Sequence, residues 1–129
     1  MKYSILIYGA ESIIDRLPAG KIEELFVGHR ELQKQLAIKG QFVSVKLMRT
    51  SSAVTLKPAQ GDSEKPIIVD GPYAETKENF LGFYVADFDS LEHAIEYASL
   101  ISSPYVTLEI RPIDWNGGIL GSPQIDLPE

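Results

Sequence analysis

The 129-residue sequence contains no cysteine and only two histidines. The lack of thiols excludes disulfides, thiolate metal sites and a cysteine nucleophile. The two histidines are far apart and show no H-x-x-x-H spacing, so we predict no metal site and expect no cofactor. The sequence also lacks a G-x-S-x-G segment, a Walker loop and a dinucleotide-binding fingerprint, which removes the enzyme classes that depend on them.

Positive charge is scarce, with 12 Lys and Arg against 18 Asp and Glu, for a net charge of −6. Because no basic stripe exists, we do not expect a direct nucleic-acid partner. No apolar run approaches the roughly 18–20 residues that a membrane span needs. The apolar run of residues 1–11 is too short for a signal peptide and meets Glu11, so we expect a first strand there and a cytoplasmic location.

What the sequence does have is an apolar content of 44% and a regular alternation of strand and helix patterns, which suits one domain. We expect Gly40 to end the first helix, and Asp89 to cap the second with Glu92 as its partner. The predicted strands cover 2–8, 42–48, 53–57, 66–70, 80–88 and 105–112, and the predicted helices cover 21–39 and the segment after 89.

The order of these elements predicts an α+β fold. Without the hairpin of 53–57 and 66–70 it reads βαββαβ, which is the ferredoxin-like arrangement. Two helices cover only one face of such a sheet, yet strands 3–8 and 80–86 are apolar on both faces, with Phe80, Tyr84 and Ala86 expected on one side of the second strand. We therefore predict a homodimer whose two sheets face each other.

The segment DGPYAETKE at 70–78 forms a corner of restricted shape. Pro72 fixes its own φ angle and lacks an N–H group, so Asp70 cannot make the usual Asx-turn hydrogen bond. Gly71 can adopt backbone angles that are closed to other residues. Two interpretations stay open: a rigid connector with solvated charges, or the rim of a binding site.

Together with Gly82 in LGFYV, DSLEHAIE at 89–96 and LEIRP at 108–112, this corner resembles the DGPF-domain family of the YCII-related superfamily. Tyr73 stands where the family name records Phe. The resemblance covers about 1–113 and leaves 114–129 as an irregular C-terminal extension. It implies a dimeric α+β barrel of ferredoxin-like protomers, no established activity, and a sigma factor as a candidate partner, because family members often occur beside extracytoplasmic-function sigma factors.

His29 is the candidate acid or base. It lies on the apolar stripe of the first helix, and an imidazole titrates near pH ~6.5. The alternative is a hydrogen-bonded histidine at the border of the core. The resemblance favours a site, because in YCII-related proteins a helix histidine eleven residues before a glycine, here Gly40, is proposed to act with an aspartate. Asp70 is our candidate for that aspartate, as the only one in the corner.

Glu109 and Arg111 form a charged pair on the last strand, opposite the face of Val106, Leu108 and Ile110. The guanidinium of Arg111 could hold a carboxylate substrate through two hydrogen bonds. The alternative is an ion pair of Arg111 with Glu75 or Glu78 that holds the corner in place. The corner residues expected to border a ligand are Tyr73, Glu75, Lys77 and Glu78.

Two functions are compatible with these features. The first is a small-molecule-binding or regulatory protein without catalysis. The second is an enzyme of the hydrolase or lyase type that acts on a small organic molecule, with His29 as acid or base and a carboxylate partner. A complete catalytic set is not visible in the sequence, which favours the first.

Overall fold

The computed structural model describes residues 1–62, 65–74 and 76–118. The tail expected at 114–129 therefore lies mostly outside the described residues. The elements in chain order are β1 (Lys2–Gly9), α1 (Glu11–Ile14), α2 (Ala19–Lys39), β2 (Val43–Lys46), β3 (Val54–Lys57), β4 (Ile67–Asp70), β5 (Asn79–Asp87), α3 (Leu91–Ala98) and β6 (Val106–Pro112). Single turns of 3₁₀ helix occupy Thr50–Ser52 and Ser99–Ile101.

Four strands form one antiparallel sheet in the order β2-β5-β1-β6. Strands β3 and β4 pair only with each other, as the inserted hairpin. The predicted α+β class is confirmed, and the strand order is consistent with a ferredoxin-like fold. The helices and strands begin and end within two residues of the predicted bounds for most elements; α1 was not predicted.

The core lies between the sheet and the helices. Alternate residues of β1 and β5 point toward the helices, as the two-residue period of a strand requires. Leu32 and Leu36 of α2 and Ala94 and Ala98 of α3 are buried against them. The sheet contributes Tyr3, Ile5, Ile7, Tyr84 and Ala86 to this cluster.

A bulge in β5 changes the predicted sides of its first residues. Ile7 pairs with Gly82 but Tyr8 pairs with Phe80, so Leu81 is an extra residue in the ladder. Leu81 packs on the core side, whereas the Phe80 ring lies 5.4 Å from that of Tyr8 on the opposite face. The prediction that Phe80 shares a face with Tyr84 was therefore wrong, because period-two counting fails across a bulge.

The helix ends show one correction. Gly40 caps α2 as predicted, with φ 154°, an angle that favours glycine. The cap of α3 is Ser90, whose hydroxyl accepts from the His93 backbone N–H, and not Asp89. Within the described ranges, no helix is both long enough and apolar enough to cross a membrane.

The β3–β4 hairpin projects as a two-stranded ribbon that carries exposed apolar side chains. Leu56 and Ile68 lie opposite each other and are 62% and 70% exposed. The corner after β4 holds the base of the ribbon, because the Gly71 N–H donates to the Ala53 carbonyl at 2.8 Å and the Thr55 hydroxyl donates to the Gly71 carbonyl at 2.7 Å. Gly71 has φ 103°, so the corner depends on glycine.

The substitution Gly82→Ala is expected to destabilise the protein by about 1–3 kcal/mol. An added Cβ at Gly82 would collide with the backbone carbonyl of Val45 in β2, which cannot rotate away as a side chain could. Gly20→Ala is the matched control, since no atom lies within 4 Å of its added Cβ and alanine favours the helix. Urea unfolding measures both; equal stabilities for the two variants would contradict the close approach of β2.

Candidate functional site

A cavity of about 560 Å³ lies on the helix side of the sheet, between α2 and strands β1, β2 and β5. It lies between the four-residue strand β2 and residues 22–33 of α2. One part of its wall is apolar and consists of Ile7, Ile14, Ile22, Leu25, Leu81 and Ile101. The polar lining residues near Tyr84 are His29, Gln33, Ser44 and Lys46, and Glu11, Asp15 and Arg49 also line the cavity.

The Tyr84 hydroxyl joins α2 to the central strand β5. Nδ1 of His29 lies 2.7 Å from this hydroxyl, and Nε2 of Gln33 donates to it at 3.1 Å. His29 and Gln33 are four residues apart, so they lie on the same face of α2. The rings of His29 and Tyr84 stack at 5.8 Å with an interplanar angle of 15°.

The proton positions in this chain follow from the burial of Tyr84, whose side chain is 1% exposed. Because its oxygen accepts from Gln33, we assign its own proton to the remaining partner, Nδ1 of His29. Neutral His29 therefore carries its proton on Nε2. This nitrogen has no hydrogen-bond partner in the protein within the described residues, and His29 lines the cavity.

Burial lowers the pKa of His29 from its usual 6.5, because the surrounding protein disfavours the charged ring. The positive charge of Lys46 lowers it further. Lys46 lies on β2, with its ammonium group 5.9 Å from the centre of the Phe26 ring. His29 is therefore a neutral hydrogen-bond donor at pH 7.

Two acids that already have partners also line the cavity. Glu11 accepts from the hydroxyl of Thr50 at 2.6 Å and from its backbone N–H at 3.0 Å. Asp15 forms an ion pair with Arg49. These contacts tie α1 to the segment after β2 and form that part of the wall.

The structure separates the site residues that the sequence suggested. Of the site residues expected from the sequence, His29 is the one that lines the cavity within the described residues. Asp70 ends β4 and does not line the cavity, and Tyr73 is 85% exposed. Lys77 borders a neighbouring groove that shares Glu11 and Arg49 with the cavity wall. Glu75 lies outside the described residues.

Glu109 and Arg111 lie on the face of the sheet that points away from the helices. This follows from their register, since Leu108 and Ile110 pair with Ile7 and Ile5 on the core side. The Tyr8 hydroxyl donates to Glu109 at 3.5 Å, and the Thr107 hydroxyl donates to Glu78 at 3.3 Å. The alternative ion pair between Arg111 and Glu78 does not form within the described residues; the neighbour of Glu78 is Thr107.

The sequence is similar to known proteins over most of its length. The model of the YCII-related domain matches residues 1–113. A protein of Rhizobium meliloti (strain 1021), named as uncharacterized, is 32% identical over 117 residues, which cover 88% of this chain and 92% of that protein. The chain belongs to the YCII-related domain family.

Several residues of this YCII-related domain that line the cavity were missed by sequence reasoning. Tyr84 was read only as part of an apolar strand, although a buried tyrosine hydroxyl needs a partner. Gln33 interrupts the apolar stripe of α2 four residues after His29, which was a usable signal. Lys46 gave no signal, because its side depends on the pairing of β2 with β5.

A metal site finds no support in the YCII-related domain as far as it is described. No group of three or more histidine, aspartate or glutamate side chains is placed to hold an ion in residues 1–62, 65–74 and 76–118. The chemistry of the cavity therefore has to be argued from its hydrogen-bonding groups and from Lys46.

The stability of the YCII-related domain is expected to depend on pH through His29. Its folded pKa is below the unfolded value of 6.5, so the unfolded chain binds more protons as the pH falls through this range. The contribution of His29 is complete above about pH 6.5 and is lost progressively below it. Urea unfolding should show wild type losing stability relative to His29→Gln between about pH 7.5 and 5.5. The control His93→Gln should keep the wild-type loss; a constant difference between wild type and His29→Gln would contradict the lowered pKa.

Proposed function

We propose that this YCII-related protein is of the DGPF type and binds a small organic molecule in the cavity between α2 and the sheet, without catalysing a reaction. The observation that carries the proposal is the cavity itself, of about 560 Å³. Its volume is within the range of roughly 300–1,000 Å³ that is typical of small-molecule sites. An apolar wall with a few polar groups at one end is the usual composition of such sites.

The fixed orientation of the polar side chains around Tyr84 supports ligand binding. The Tyr84 hydroxyl contacts Nδ1 of His29 at 2.7 Å and accepts from Gln33 at 3.1 Å. These two contacts hold the His29 ring in one orientation. A ligand would meet a donor whose orientation is already set, so it would lose less side-chain entropy on binding. The DGPF assignment rests on the corner at 70–78 and on the resemblance described above.

A second candidate is an enzyme of the hydrolase or lyase type. The observation that favours it is the lowered pKa of His29 at a cavity wall, since perturbed titrations cluster at catalytic sites. Its carboxylate partner would be Glu11 or Asp15, which line the cavity, and not Asp70. Both acids are already engaged, which favours binding over catalysis.

We also propose that two protomers pair through the apolar part of the sheet face that points away from the helices, called the outer face: Leu6, Tyr8, Val43, Val45, Phe80, Phe83 and Val85. The rings of Phe80 and Phe83 stack 6.2 Å apart on this face. The free face of an antiparallel sheet usually carries polar side chains, so an apolar one needs a cover. A second copy related by a two-fold axis supplies an identical apolar surface and gives the dimeric α+β barrel that the resemblance implies.

A cytoplasmic location and an association with a sigma factor stay predictions from the sequence and the resemblance. Co-expression with an extracytoplasmic-function sigma factor from the same organism, followed by affinity purification at increasing salt, tests the association. Failure of the two proteins to co-purify would contradict it.

Ligand binding in the cavity is expected to be lost in Leu25→Trp, because the indole would occupy part of the space that Leu25 now borders. Val27→Trp is the control, since Val27 is half exposed and does not line the cavity. Ligand-observed NMR with a library of small aromatic and aliphatic compounds measures both. Compounds that bind wild type and Leu25→Trp equally would place the site elsewhere, and a library without binders would contradict the proposal.

The dimer is expected to dissociate in Phe83→Glu, because the charge would be buried without a partner between the two sheets. Ile38→Glu is the control, as Ile38 is 79% exposed on α2 and far from the outer face. Sedimentation at micromolar concentration should show a dimer for wild type and the control and a monomer for Phe83→Glu. A monomeric wild type would refute the assembly.

A further inference from the structure

We infer that the ligand is an organic monoanion, a carboxylate on an apolar body, whose carboxylate lies between the Lys46 ammonium and the Nε2–H of His29. This inference names the ligand class for the cavity and rests on the function proposed above. Three features of the cavity support it: the partners of each charged group, the hydrogen-bond chain of Tyr84 and the distribution of apolar side chains.

Lys46 is the cation that would bind the carboxylate of the ligand. Lys46 and Arg49 are the two lining residues with a positive charge. Arg49 is already paired with Asp15. Lys46 has no carboxylate partner within the described residues and contacts only the Phe26 ring at 5.9 Å. Lys46 is exposed, but it lines the cavity beside His29, so its ammonium is available to an anionic group of a ligand there.

The second donor is the N–H at Nε2 of His29. The chain from Gln33 through Tyr84 to Nδ1 leaves this N–H directed away from the protein partners. A neutral histidine in this form donates and cannot accept at Nε2, so it prefers an oxygen acceptor on the ligand. Gln33 is a positioning residue, since its amide sets the direction of the whole chain.

The rest of the cavity limits what the anion can be attached to. The cavity wall also presents Ile14, Ile22, Leu25 and Leu81, which suit an aromatic ring or a branched alkyl group. Glu11 and Asp15 also line the cavity and add negative charge to its wall. A second carboxylate would meet these acids, so the geometry favours a monoanion over a dianion.

The test compares 3-phenylpropanoate with 3-phenylpropanamide, which has nearly the same shape but no charge. Isothermal titration calorimetry at pH 7.5 should show the carboxylate binding at least about tenfold more tightly to wild type, because its hydrogen bonds are charge-assisted. Lys46→Met should remove this preference and retain the weaker binding of the amide. The control Lys34→Met changes an exposed lysine of α2 that does not line the cavity, and should keep the preference.

The same experiment at lower pH tests the position of the carboxylate. A bound anion favours protonated His29, so binding of 3-phenylpropanoate should tighten as the pH falls from about 7.5 to 5.5, a range in which the carboxylate stays ionised. The other charged or titratable residues that line the cavity are Lys46, Tyr84, Glu11, Asp15 and Arg49. NMR of the His29 ring should show its pKa rising on saturation with the carboxylate and unchanged with the amide.

The outcomes separate this inference from the proposed function. Equal affinity for the carboxylate and the amide, or a preference that survives Lys46→Met, overturns the anion and leaves the cavity as a binding site. Failure of both probes to bind wild type contradicts the inferred ligand class, and the compound library then decides whether the cavity binds other molecules. A preference that is lost in Lys34→Met as well overturns the assignment to Lys46.

Discussion

The buried hydroxyl of Tyr84 is the constraint on which the candidate site depends. A phenol on the core side of a central strand needs hydrogen-bond partners, because leaving it unpaired costs about 1–3 kcal/mol. Helix α2 supplies both partners, four residues apart on one face. The rotation of α2 over the sheet is thereby restricted, and the same contact that satisfies the core also orients His29 toward the cavity.

The cavity itself results from short elements at one end of the sheet. Strand β2 has four residues, and its backbone approaches β5 so closely at Gly82 that a methyl group would collide with it. The bulge at Leu81 then inserts an extra side chain on the core side, which becomes part of the cavity wall. Phe88, Leu36 and Ala98 are buried in the core, whereas the cavity borders residues 22–33 of α2, with His29 at the middle of that helix.

Much of the fold could be predicted from the sequence, because the strands and helices have clear periods and Gly40 marks a helix end. His29 could be identified from its place on the apolar stripe of α2. Its surroundings could not, since Lys46 and Tyr84 reach it through strand pairing between segments about forty residues apart. The bulge also defeated period counting, and with it the predicted side of Phe80. The conspicuous charges of the corner at 70–78 gave little guidance, because charged turns are common on protein surfaces.

The two faces of the sheet therefore have different roles in this account: the helix side holds the ligand cavity, and the outer face pairs protomers. Both the site and the inferred ligand depend on Tyr84 donating its proton to Nδ1 of His29, which leaves the proton of the neutral imidazole on Nε2. A long-range ¹H–¹⁵N correlation spectrum of the His29 ring in the free protein at pH 7.5 tests it directly, since it distinguishes a protonated ring nitrogen from a bare one. We expect a bare Nδ1 and a protonated Nε2. A proton on Nδ1, or on both nitrogens, would contradict the hydrogen bond from Tyr84 to Nδ1.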